Sequence, residues 1–325
     1  MRVSEIRERL KAFPQKDMIE LFIAAYKHLP KDRKEGVIDD LILHGVRQLH
    51  DKTTKQKSKA APQMNFSALA AEIKTFLDNA YAQNYLAPNR KIPKAERPKW
   101  RFHVMRYIKE LRSIKADTPH FDEANELLAQ LFEMTAYACN YYLFRTEDAF
   151  ASIRMQQDDF YEQVVSRLLT AEPSDAAIKR ALQLATVSGM SRETISEDLY
   201  AKLLPRLDTI ALKRRAVEQL QSLCKDAAKL QDKYEINSRL QGCAKLMLHL
   251  KIALGETEDG VSACYQIFNR QGKQNPETVL YIILGILDAY GQKEIWIRTY
   301  EKALENNVRP RNYLRNRYDE LKSGK

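Results

Sequence analysis

Residues 118–144 read TPHFDEANELLAQLFEMTAYACNYYLF, and the spacing of their apolar side chains is helical. Phe121, Ala124, Leu128, Leu131, Thr135, Ala138 and Tyr142 recur at intervals of three and four, which places them on one face of an α-helix. Leu127, Phe132, Met134, Tyr137 and Tyr141 widen that face until most of the circumference is apolar, the signature of a helix in the middle of a bundle. Thr118 and Pro119 supply an N-cap and a first-turn proline, and Asp122 and Glu123 sit where a helix's positive end favours them. The spacing predicts a helix from there to about Phe144.

The same period extends in both directions. Upstream it predicts helices at about 4–12, at 18–29 (Met18, Phe22, Ala25, Tyr26, Leu29, stopped by Pro30), around Val37 to Leu49, at 66–85 and from Lys99 onward. Downstream it predicts 147–170, 174–187, 192–203, 209–230, 234–254, 258–270, 276–290, 293–306 and 311–322. Strand alternation is nearly absent, and ten glycines and eleven prolines in 325 residues are few for a turn-rich β architecture. The expected class is therefore all-α, with stacked antiparallel helix hairpins forming either an α-solenoid-like array or two packed helical subdomains. Residues 50–64 are polar and basic without periodicity and read as an exposed linker. Three regions follow: 1–85, 86–205 and 206–325.

At the carboxyl end, Leu284, Gly285, Tyr300, Ala303 and Pro310, preceded by Gly255, Gly260, Cys264, Ile267, Phe268 and Pro276, resemble two units of the tetratricopeptide repeat over about residues 246–310. The spacing is shifted by one or two residues, and Trp296 stands at a small-residue position. Small residues let helices approach, and the aromatic fills the gap between them. The resemblance implies a curved stack of helix pairs that holds other proteins, with no catalytic residues to carry over.

The net charge of +10 is unevenly spread. Residues 89–115 carry ten basic and two acidic side chains, whereas residues 117–205 carry seven basic and fifteen acidic. Within the basic block, RKIPKAERPKWRFHVMRYIKELRSIK (90–115), a helix from Lys99 turns Trp100, Val104, Tyr107, Ile108, Leu111 and Ile114 toward the core. Arg101, Arg106, Lys109 and Arg112 fall on the opposite side with Phe102 and Met105 among them, and Arg90, Lys91, Lys94 and Arg97 lie in the preceding proline-rich loop. These ten residues form the candidate binding face. Phosphates attract such a surface, and an exposed aromatic stacks on an unpaired base. The plainer alternative is a solvated face whose charges are met by the acidic helices after residue 117, with Phe102 docked on a neighbour. A second cluster, Arg309, Arg311, Arg315 and Arg317, reads as a solvated, fraying end.

Catalytic signatures are missing from the sequence. It contains no HExxH, no GxGxxG, no Walker-type glycine loop and no GxSxG elbow. Asp117 and His120 are one short pair and too little for a metal. Neighbouring acids such as Asp158 and Asp159 diverge by about 100° on a helix. The four cysteines form no CxxC pair and read as reduced thiols. The amino terminus is charged and the longest apolar run, 279–287, is nine residues, so the expected setting is the cytoplasm and no membrane. The resulting expectation is a non-enzymatic scaffold without metal or cofactor that binds a protein, with nucleic acid the second choice of partner. The sequence is silent on oligomeric state.

Overall fold

A computed structural model of the chain describes residues 9–29, 65–170, 172–187, 189–270 and 275–323. Among these residues every regular element is helical, with 14 α-helices and no strand. Compactness divides the chain into two units, Met1–Asn65 and Phe66–Lys325. The expected regions 86–205 and 206–325 both lie within the second unit. The linker expected at 50–64 and the helix around 37–49 lie outside the described residues.

In the first unit, α1 (Gln15–Lys27) starts after Pro14 and ends at His28, close to the expected limits, and buries none of its residues.

In the second unit the order is α2 (Phe66–Tyr81), α3 (Trp100–Arg112), α4 (Phe121–Asn140), α5 (Ala149–Ser152), α6 (Gln157–Leu168), α7 (Asp175–Ala185), α8 (Ser196–Leu203), α9 (Ile210–Ala227), α10 (Lys233–Ala253), α11 (Thr257–Asn269), α12 (Pro276–Ala289), α13 (Lys293–Glu305) and α14 (Asn312–Ser323). Each helix leans on elements one to three places away. α4 touches α2, α3, α5, α6 and α7, while α10 touches α8, α9, α11 and α12. Packing of this local kind continues without a break from α2 to α14.

α4 is the buried helix its sequence called for, with eleven buried positions including Leu127, Leu128, Leu131, Phe132 and Met134. Its ends differ from expectation. The Thr118 hydroxyl donates to the Lys115 carbonyl at 2.7 Å, so the 115–118 turn consumes the group that would have capped the helix, and α4 begins at Phe121 with His120 before it. At the other end Tyr141 is extended, which leaves Tyr142 73% exposed and turns Phe144 back onto Trp100, with the rings 3.9 Å apart and 9° from parallel. The continuous helix expected over 147–170 is two, α5 and α6, separated at Arg154, whose φ is +56°.

The connections are short because the helices end in tight caps. After α10 and α12, Gly255 (φ +75°) and Gly291 (φ +64°) take the left-handed conformation that closes a Schellman motif. The Glu256 amide donates to the Lys251 carbonyl at 2.8 Å, and the Gln292 amide donates to the Leu287 carbonyl at 2.9 Å. Gly189 serves closeness instead. A Cβ there would lie 1.7 Å from the Ala136 carbonyl oxygen, so only glycine lets this segment reach α4. The buried Gln157 fixes it by donating to the Gly189 carbonyl at 2.9 Å and accepting from the Ser191 amide at 2.7 Å.

The terminal helix is docked, which corrects the reading of a fraying end. Leu314 is buried, Tyr318 stacks on Tyr300 at 4.6 Å, Arg317 pairs with Asp288 at 2.7 Å, and Arg311 pairs with Glu277 at 3.0 Å. No helix among the described residues is long and apolar enough to cross a membrane.

Candidate functional site

The sequence sorted the two sides of α3 as the structure does. Trp100, Val104, Tyr107, Ile108, Leu111 and Ile114 are all buried, and Phe76, Phe144 and Trp100 form part of the aromatic core beneath them. Phe102 is 56% exposed and Met105 38%, so Phe102 stands in solvent and is not docked on a neighbour. Its own neighbour Arg101 lies over its ring, 4.8 Å from the centroid.

The ten candidate residues divide by what they touch. Arg97 is a structural strut: its guanidinium donates to the carbonyls of Ile92 at 3.1 Å and Asn89 at 3.2 Å, while Asn89 accepts from the amides of Lys91 and Ile92. Those bonds hold the loop that three prolines keep out of helical geometry. Arg106 is also occupied, paired with Glu72 on α2 and with Glu110 at 3.8 Å. The Glu72 carboxylate further accepts from the Tyr107 hydroxyl at 2.9 Å, and burial, reinforced by this bond, pushes the phenol up. The remaining cations, Arg90, Lys91, Lys94, Arg101, Lys109 and Arg112, are exposed and pair with no carboxylate among the described residues.

The acidic stretch 117–205 does not cover this face. Most of its carboxylates pair elsewhere. Glu123 holds Lys74 at 3.0 Å, and Glu126 and Glu133 hold Arg180 at 3.1 and 3.0 Å. Asp175 holds Arg215 at 2.6 Å, and Glu197 holds Lys245 at 2.8 Å. Asp158 and Asp159, expected to diverge, both reach Lys202, at 3.8 and 3.6 Å, with Glu162 joining them at 2.8 Å. The three meet at one ammonium because α8, which carries Lys202, packs against α6.

Two structural elements complete the site. Arg167 on α6 donates to the carbonyls of Leu111, Arg112 and Ile114 at 3.4, 3.3 and 3.0 Å, to the Asn125 side chain at 2.7 Å, and lies over the Phe121 ring at 4.6 Å. A cation thereby satisfies the open carbonyl end of α3 and ties it to α4 and α6. Burial lowers its pKa from the ordinary arginine value, with Arg112 adding a smaller repulsion. The turn after α5 then brings Ile153, Arg154 and Met155 against α3. Met105, Ile108, Lys109, Arg112, Ser113, Ile153, Arg154 and Met155 enclose an open cleft of about 420 Å³. Its lining holds three cations and no carboxylate.

Arg154, Ile153 and Met155 were not legible in the sequence. No periodicity links them to α3, and only the packing of α5 against α4 delivers them. Elsewhere, no group of three or more His, Cys, Asp or Glu side chains capable of holding a metal is gathered among the described residues, and the His120 ring stacks on Phe66 at 4.5 Å. The four cysteines are free; Cys224, Cys243 and Cys264 are buried, and burial pushes the Cys264 thiol up to about 12. No family model matches the chain, and neither a curated protein nor a solved structure does so.

Proposed function

We propose that this protein acts by binding, as a non-enzymatic helical scaffold that docks a partner carrying negative charge on the outer face of α3. The observation that supports the reading most is electrostatic. Arg101, Lys109 and Arg112, joined by Arg154 across the cleft, keep their charges without a carboxylate partner among the described residues, although the chain holds a strongly acidic region, most of whose carboxylates pair elsewhere. Like charges held together cost folding free energy, so a surface of this kind is expected to serve a ligand outside the chain.

A protein partner is the reading favoured by the array of helix hairpins and by the likeness of residues 246–310 to a repeat that holds proteins. Nucleic acid is favoured by a separate observation, the exposed Phe102 ring with Arg101 over it. The free cysteines accord with a reducing, cytoplasmic setting.

The test is a panel of labelled polyanions, namely heparin, polyglutamate, duplex and single-stranded oligonucleotides, titrated with the purified chain at about 50 mM salt. The reading expects at least one to bind and to be released by the combined Arg101→Glu, Lys109→Glu, Arg112→Glu and Arg154→Glu changes, with the helical circular-dichroism spectrum kept. Silence across the panel, or unchanged binding by the folded variant, would remove it.

A further inference from the structure

We infer that the partner held on this face is a single-stranded nucleic acid, with the cleft between α3 and the 153–155 turn holding a backbone phosphate and Phe102 stacking on a base. The inference rests on the docking reading above and goes further by naming the partner's chemistry.

The first ground is the composition of the cleft. Lys109, Arg112 and Arg154 stand around a wall of Met105, Ile108, Ile153 and Met155, and Ser113 supplies a hydroxyl that is already committed to the Glu110 carbonyl at 2.6 Å. Two guanidinium forks and one ammonium suit a compact anion with several acceptor oxygens, which a phosphodiester offers.

The second ground is the backbone of Arg154. It occupies the left-handed position of a Schellman closure: the Met155 amide donates to the Phe150 carbonyl at 3.2 Å, and the Arg154 amide donates to the Ala151 carbonyl at 3.1 Å. At the matching positions elsewhere the chain uses Gly255, Gly291 and Asn307, residues that tolerate this conformation. Gln83 is the other exception, and its side chain repays the strain by donating to the Tyr142 carbonyl at 2.9 Å. Arg154 makes no hydrogen bond or ion pair through its side chain among the described residues. A strained arginine with no use inside the fold, aimed into a cleft with two further unpaired cations, marks a ligand site.

The third ground is alignment. At 100° per residue, Phe102, Met105, Lys109 and Arg112 fall within an arc of about 80° and extend over about 15 Å of helix axis. The exposed ring is therefore on the same stripe as the cationic cleft. A single strand presents phosphates and open base faces together along one edge. A duplex hides its base faces in the stack, and an acidic peptide offers charge without such a face.

The experiment is fluorescence anisotropy of the full chain with a labelled single strand of about 20 nucleotides, against a duplex of equal length and a labelled polyglutamate, in a salt series starting near 50 mM. The single strand is expected to bind at least about tenfold tighter than either competitor. The combined Lys109→Glu, Arg112→Glu and Arg154→Glu changes should flatten the slope of log affinity against log salt by about 0.7, the share of the one phosphate the cleft holds. Phe102→Ala should weaken binding on the order of tenfold and leave that slope unchanged. Arg154→Gly should weaken binding severalfold while melting no lower than the parent, because it relieves the backbone. Equal or tighter binding of duplex or polyglutamate overturns the inference and leaves the docking reading standing when the charge changes abolish it. Unchanged single-strand binding by Phe102→Ala or Arg154→Gly also overturns it. Failure of every probe to bind ends both.

Discussion

Two of the clefts lined by charged side chains in this protein differ in whether the charges meet. Between α7, α9 and α10 a cleft of about 360 Å³ is lined by Lys179, Asp226, Glu235 and Arg239 among others. Lys179 lies 2.7 Å from Asp226, Arg239 lies 3.2 Å from Glu235 and 3.5 Å from Glu133, and Glu133 also holds Arg180. Every cation there has a carboxylate, and the pairs fasten helices together. The cleft beside α3 gathers Lys109, Arg112 and Arg154 with no carboxylate in its lining. Charge that is compensated within the fold does structural work, whereas charge left uncompensated is available to a partner. Basic composition alone does not distinguish the two cases.

The largest way to test that contrast is Arg180→Ala. Arg180 is only 15% exposed and its loss removes the guanidinium that Glu126 and Glu133 share, leaving Glu133 with Arg239 at 3.5 Å as its remaining cation, so chemical denaturation should report a destabilisation of about 3 kcal/mol. Arg167→Ala comes next, at about 2.5 kcal/mol, because three carbonyls at the end of α3 lose a charged donor. That variant should also loosen the candidate face, visible as faster amide exchange in α3. Burial that is never compensated gives a third effect. His249 is buried with its Nδ1 on the Tyr290 hydroxyl at 2.9 Å and its Nε2 unpartnered, and desolvation lowers its pKa from 6.5 to about 4. Below pH 6.5 the unfolded chain takes up a proton that the folded chain refuses until about pH 4. Stability is therefore full at neutral pH and falls as pH drops through that window, by about 2 kcal/mol between pH 7.5 and pH 5. His249→Gln should flatten the profile. Arg154→Gly should raise stability by about 1 kcal/mol, the strain it removes. Smallest of all, Arg112→Ala should change stability by less than about 0.5 kcal/mol, because its side chain is exposed and unpaired. A loss near that of Arg180→Ala would erase the distinction between the two clefts.

The division of α3 into a buried and an open side was legible because burial acts on residues three and four apart, and the six apolar positions from Trp100 to Ile114 carry that spacing in the sequence itself. Helix limits were less legible. The Thr118 hydroxyl had two local uses, and the turn it chose became evident only in the folded chain; the break at Arg154 follows no periodic signal. Arg97 and Arg106 were read as part of an open face, yet one braces its own loop and the other is held by Glu72, contacts that depend on loop closure and on α2 lying beside α3.

The residue types and their 3.6-residue period settled by themselves that the chain is helical, where most helices lie and which side of each one is apolar, since those properties arise from near neighbours. Which cations remain unpaired was settled only by tertiary structure. An ion pair requires a carboxylate within a few ångströms, and the carboxylates that reach Arg180, Arg215 and Lys245, like the turn that carries Arg154 to α3, come from distant parts of the sequence that packing alone brings together.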